Sequence, residues 1–146
     1  MKPINEPIIV EEIINAPIKT VWNAITQVVL MRQWFFDNIP DFKAEVGFKT
    51  QFNVQSESRN FLHLWTVTEV KFLKKIVCNW KYEDYEGDSF VHFELIEEKN
   101  STIIRVKSIV TENFTDDIPE FKPESCRAGW NYFIKQNLKN YLEKTT

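Results

Sequence analysis

Glycine is scarce in this chain, three residues in 146, and none stands close enough to another to form a phosphate-cradling loop. Nucleotide sites of that kind are not expected. Cysteine is as sparse: Cys78 and Cys126 have neither CxxC spacing nor a nearby histidine, so no metal centre and no disulfide framework is predicted, and both are expected to be reduced and structural. An excess of positive charge is missing too. With 18 Lys and Arg against 21 Asp and Glu, the net charge of -3 offers no footprint for nucleic acid and no polybasic patch for anionic lipid. Apolar runs are short: none approaches the ~20 residues of a membrane span, and the opening MKPINEPIIVEE carries acids where a signal peptide needs an apolar run. A cytoplasmic protein without a membrane span is the resulting expectation.

What the sequence holds in abundance is rings, with twelve Phe, five Trp and four Tyr. A single domain over residues 1–146 is long enough to bury roughly two-thirds of the surface its unfolded chain exposes. This much ring surface either fills the core or lines a cavity inside it. The last stretch, from about Pro123 to Lys144, places Trp130, Phe133, Ile134, Leu138, Tyr141 and Leu142 at three- and four-residue spacing, one stripe of an amphipathic α-helix.

Ahead of it the period changes. Ile8 to Asn15 is β-branched and bounded by prolines, a first strand; Ile18, Val21, Trp22 and Ile25 then recur at helical spacing, and Val28 to Phe36 predicts a second short helix facing Leu30, Met31, Trp34 and Phe35 inward. From Gly47 the chain alternates. Phe48, Thr50, Phe52 and Val54 share one face of a strand, as do Ile76, Cys78, Trp80 and Tyr82, then Val91, Phe93 and Leu95, then Ile104, Val106 and Ser108. Phe61 to Val70 is apolar on both faces, and alternation leaves its register open. The sum is α+β: about six antiparallel strands, curved around a long C-terminal helix that starts near Glu124, with two short helices after the first strand.

Several of these positions together resemble a known family. Ala16-Pro17 after the first strand, Val21-Trp22, Trp34, Gly47-Phe48, the meander with Trp80, and Gly129-Trp130 followed by Leu138 and Tyr141-Leu142 are similar to the activator of heat-shock protein 90 ATPase homologue family, within the START-like (SRPBCC) helix-grip superfamily. The resemblance implies a sheet gripping the C-terminal helix and a cavity between them that often holds an apolar ligand. FLKK after Lys71, where many relatives carry prolines, and bulky residues from Phe61, where many carry a glycine near Trp65, imply a smaller cavity or a shifted mouth.

Candidate ligand-binding residues are Trp34, Phe52, Trp80, Tyr82, Phe93, Ser108, Trp130 and Phe133, the rings as walls and polar groups such as Thr50, Ser108 or Tyr82 orienting a ligand. The alternative reading for each ring is plain core. No catalytic, cofactor or metal residue is assigned. His92 alternates with Val91 and Phe93 and is expected on the outer face. His63 points to solvent if Leu62, Leu64 and Thr66 face the core, and into the cavity if Trp65 and Val67 do. Asp84, Glu86 and Asp88 suit a solvated loop. The leading expectation is a non-enzymatic module that encloses a small apolar molecule. A chaperone-binding or other protein-interaction domain, with an exposed patch around Trp34, Phe35 and Phe36, is one alternative. A cyclase- or dehydratase-like enzyme, which needs His63 and Tyr82 in one cavity, is the other.

Overall fold

The computed structural model describes every residue except Ile4, Asn5, Thr145 and Thr146. Six strands form one antiparallel sheet: β1 (Ile8–Ile14), β2 (Lys49–Ser56), β3 (Arg59–Lys71), β4 (Lys75–Tyr82), β5 (Asp88–Glu97) and β6 (Thr102–Glu112), in the order β1-β6-β5-β4-β3-β2. Strands β2 to β6 are a meander of consecutive hairpins, and β1 returns to pair with β6. Two helices, α1 (Ile18–Thr26) and α2 (Val28–Trp34), leave β1 directly. The β3 strand bends where its register to β4 shifts between Val67 and Glu69, a bulge of the kind that increases local twist and helps a sheet curl.

The chain then crosses the open end of the sheet through a single 3₁₀ turn (Pro119–Phe121) and enters the C-terminal helix. This helix has three parts: α3 (Pro123–Trp130), a π-helical stretch (Asn131–Leu138) and α4 (Lys139–Lys144). A continuous α-helix is what its sequence predicts, and the π-helical middle departs from that. The buried positions explain it. Trp130, Ile134, Leu138 and Leu142 recur every four residues, and at 3.6 residues per turn such a stripe drifts about 40° per repeat. Wider π-type turns, closed by i→i+5 bonds, turn the stripe back toward the sheet. Each side chain so buried is worth about 1.5–3 kcal/mol.

The same helix seals the outer edge of β1. Arg127 Nη1 donates to the Ile9 carbonyl (3.1 Å) and Lys139 Nζ to the Ile13 carbonyl (2.6 Å), while Glu143 accepts from the Asn15 N–H (2.9 Å). Backbone groups that would otherwise template another strand are thereby occupied.

The expected second helix, Val28 to Phe36, ends at Trp34 instead. Trp34 is buried, its Nε1–H donating to the Ala24 carbonyl (2.8 Å), Phe35 is buried beside it, and Phe36 is half-buried. The exposed patch expected around these residues does not exist, because three consecutive rings turn inward where the helix stops. Leu30, expected inward, is only half-buried.

Candidate functional site

Phe35 divides the space between sheet and C-terminal helix. Its ring lies 4.6 Å from Trp34 and 5.6 Å from Trp65, both stacked, and 4.8 to 6.4 Å from Phe133, Trp130, Trp80 and Phe93. On one side of it Trp34, Phe42, Trp65, Ile76 and Phe93 close-pack around a void of about 10 Å³. On the other side a cavity of about 320 Å³ remains, at the small end of the range for ligand sites.

Small residues create that volume. Ser89 precedes Val91 and Phe93 on the inward face of β5, Ser108 follows Ile104 and Val106 on β6, and Ser125, Cys126 and Gly129 face them from α3. A Cβ added at Gly129 would meet nothing within 4 Å. Rings complete the walls: Phe36, Phe61, Trp80, Tyr82, Trp130 and Phe133, with Phe114 and Phe121 arriving from the segment after β6. Phe61, Phe114 and Phe121 form a second apolar cluster at the mouth, and Gly87 admits it. At φ +122° that residue adopts a backbone that side chains disfavour, and a Cβ there would overlap the Phe114 ring.

Of the eight candidates, Trp80, Tyr82, Ser108, Trp130 and Phe133 line the cavity, and Trp34, Phe52 and Phe93 do not. Trp34 and Phe93 belong to the packed side because Phe35 fills the space in front of them. Phe52 sits behind His63, stacked on its ring at 5.0 Å. Thr50 is half-buried on β2 and also lies outside the lining. Lining residues absent from the candidates include Phe36, Ser56, Phe61, Ser89, Cys126 and those of the 114–121 segment. The two serines and Phe61 share the inward parity of their strands. The segment before the helix carries no sequence periodicity that could have placed it.

The register of β3 is settled by burial: Phe61, His63, Trp65 and Val67 point inward, and Leu62, Leu64 and Thr66 are half-exposed. His63 is therefore 6% exposed, inside the cavity wall. Its Nδ1 lies 2.9 Å from the Phe61 carbonyl, and since a carbonyl only accepts, Nδ1 carries the proton and Nε2 a lone pair. Burial lowers its pKa to about 4, the bond to Phe61 opposing only in part, so the ring is neutral at pH 7. Tyr82 stands edge-on to it at 4.8 Å. Its hydroxyl accepts from Trp80 Nε1–H (2.9 Å), and burial raises its pKa well above that of a free phenol. Burial likewise raises the Cys126 thiol, outweighing hydrogen bonds with Ser108 and Trp130. Nothing here activates a nucleophile. His92, by contrast, lies half-exposed on the outer face between the Val77 and Lys107 positions.

Among the described lining residues, the charged side chain is Glu120, at the mouth. Glu120, on the 3₁₀ turn, accepts from Arg59 Nε and Nη2 (both 2.8 Å) and from Ser56 Oγ (2.7 Å), tying that turn to the β2–β3 hairpin. The Arg59 hydrogen bond is the main reason its pKa falls to about 2.

Comparison with known proteins agrees with this architecture. The structure is similar to protein CV1439 from Chromobacterium violaceum (TM-score 0.78, 18% identity, 94% of this chain and 96% of that one). It is also similar to the Aha1 dimer from Colwellia psychrerythraea (TM-score 0.73, 20% identity, 95% and 97%). DynU16, a putative protein of the dynemicin biosynthetic locus, matches at TM-score 0.77 and 20% identity over 97% of this chain, which spans about half of DynU16's length (49%). At such identities the likeness concerns the fold. No curated protein matches the sequence. The family model for Activator of Hsp90 ATPase homolog 1-like protein matches residues 15–143, nearly the whole chain, and the chain belongs to that family.

Proposed function

We propose that residues 1–146 act as one START-like domain that holds a small, mainly apolar molecule in the 320 Å³ cavity between sheet and C-terminal helix. The observation that carries this reading is the change of side-chain size along one continuous ring-rich interior. Where close packing would suffice, as on the far side of Phe35, the chain achieves it. At Ser89, Ser108, Ser125 and Gly129 it uses residues too small to fill the space, and an unfilled cavity lowers stability unless something occupies it. A cytoplasmic setting suits the two free thiols, Cys78 and Cys126.

The test is a thermal-shift screen of lipids, sterols and aromatic metabolites, run in parallel on Gly129→Leu, whose side chain projects into the cavity. A ligand at a hundredfold over its Kd adds about 2.7 kcal/mol to the wild type and nothing to the variant. A screen without any stabilising compound, together with purified protein free of co-purifying small molecules by native mass spectrometry, overturns the reading.

Catalysis has one observation in its favour: His63 and Tyr82 share the cavity wall. Their acidities oppose it. Proton transfer is fastest with groups poised near the working pH, whereas burial holds His63 as a weak base near 4 and Tyr82 as a weaker acid than free phenol. The pair is better suited to hold a hydrogen-bonding group than to move its proton.

A further inference from the structure

We propose that the inner wall of this cavity selects an uncharged ring compound bearing a hydroxyl group, which donates to His63 Nε2 and accepts from the Tyr82 O–H. The proposal rests on the binding role given to the cavity and specifies the ligand's chemistry.

Two polar groups of the cavity wall, the His63 imidazole and the Tyr82 hydroxyl, have hydrogen-bonding capacity to spare, and they are complementary. With Nδ1–H directed to the Phe61 carbonyl, His63 keeps an unshared pair on Nε2 that no donor among the described residues meets. The Tyr82 oxygen already receives the Trp80 indole N–H, which leaves its own proton without an acceptor among the described residues. The two rings meet edge to face at 4.8 Å and both residues line the same cavity, so neighbouring side chains of one wall present an acceptor and a donor. A hydroxyl answers both because it donates and accepts.

Charge sharpens the class. Among the described residues, no lysine or arginine side chain lines the cavity. Glu120 is engaged by Arg59 and Ser56, and the Met1 ammonium donates to the Phe121 carbonyl (2.9 Å), both on the mouth side among the Phe114–Phe121 residues. A carboxylate or phosphate carried to the His63 end would be desolvated against a lone pair and aromatic rings, with no cation to meet it. A quaternary ammonium would find ring faces, yet would leave Nε2 and the tyrosine proton unsatisfied. The ring walls supply edges and faces for a flat, rigid partner: Phe36 lies 4.9 Å from Phe133, and Trp80 5.5 Å from Trp130.

Four probes on one ring frame test this: 2-naphthol, 2-methylnaphthalene, 2-naphthoate and a trimethylammonium naphthalene, titrated into the full chain by calorimetry at pH 7. The expected order puts 2-naphthol at least about tenfold tighter than 2-methylnaphthalene, with both charged probes weakest. In Tyr82→Phe and in His63→Leu the naphthol advantage shrinks toward unity while methylnaphthalene affinity holds. A readout that needs no variant is the ¹⁵N resonance of His63 Nε2, which shifts on adding naphthol and not on adding methylnaphthalene. Equal affinity for naphthol and methylnaphthalene, or tightest binding of either charged probe, overturns the hydroxyl assignment and leaves the cavity as a binding site. Failure of all four probes to bind overturns the hydroxylated-ring assignment, and the binding role itself falls only if the screen of lipids, sterols and metabolites is empty as well.

Discussion

At one end of the space between sheet and helix, Trp34, Phe35, Phe42, Trp65 and Phe93 pack down to a void of about 10 Å³; at the other, rings of the same kinds leave about 320 Å³. Composition does not separate the two ends. The closed end receives two extra rings from the stop of α2, and its strands present Trp65, Ile76, Cys78 and Phe93. The open end receives Ser89 and Ser108 at the equivalent inward strand positions, with Ser125 and Gly129 on the helix at its rim, and its cover is an irregular segment. A few small residues at one level of a ring-rich core are enough to turn packing into a pocket.

The largest effect that tests this contrast is truncation of a ring at each end. Trp34→Ala should cost about 3–5 kcal/mol by urea unfolding, since Trp34 is 1% exposed and stacked on Phe35. Phe133→Ala should cost only about 1–2 kcal/mol, because one side of that half-buried ring already faces empty space. Equal costs would mean that the open end is as well packed as the closed one.

The next effect is an acid sensitivity located at the open end. His63 has a folded-state pKa of about 4 against 6.5 unfolded, so between those values the unfolded chain binds more protons and stability rises with pH. The contribution is complete above pH 6.5 and is lost as pH falls, about 3 kcal/mol by pH 4. The rings around His63 are Phe36, Phe52, Trp80 and Tyr82, of which only Tyr82 titrates, far above this window. Unfolding titrations at pH 7 and pH 4 should therefore differ by that amount more in wild type than in His63→Leu. A variant with the same acid sensitivity places its origin elsewhere.

Each end was legible in the sequence only in part: the strand faces and Trp130 and Phe133 were, whereas Trp34 and Phe93 were expected in the pocket and lie at the closed end. Alternation fixed the inward faces of β2, β4, β5 and β6, and helical spacing found Trp130 and Phe133, because both patterns are local. Two things were not local. The register of Phe61 to Val70 depends on which apolar face the neighbouring strands cover, so His63 could be assigned only once β3 lay between β2 and β4. The inward plunge of Phe35, which takes Trp34 and Phe93 out of the pocket, depends on the helix stopping at Trp34, and the sequence Trp34-Phe35-Phe36 equally suits a helix that continues.

A smaller effect, of opposite sign, comes from the helix that roofs the pocket. Gly129→Ala should stabilise by about 0.5–1 kcal/mol, because alanine outranks glycine within a helix and the added Cβ meets no atom within 4 Å. Thermal unfolding would show a raised midpoint. A lowered one would mean that the open end has no room even for a methyl group.

The smallest stability change is expected where the two ends differ most in kinetics, at the mouth. Arg59 and Ser56 hold Glu120 across the opening, but the ion pair is partly exposed and screened by solvent, so Arg59→Ala should barely move the unfolding midpoint. Its consequence lies in motion. Once Glu120 is released, the 3₁₀ turn that carries Phe121 loses its tie to the β2–β3 hairpin, and a bound naphthol should leave faster by stopped-flow while Trp34 and its surroundings are undisturbed. Acid should reproduce the effect in wild type: the folded pKa of Glu120 is depressed to about 2 from 4.5, so its contribution to stability is complete above about 4.5 and declines below it, while the clasp itself opens only as pH falls through 2. Dissociation that is unchanged in Arg59→Ala would place the ligand's route elsewhere in the wall, away from the cluster of Phe61, Phe114 and Phe121.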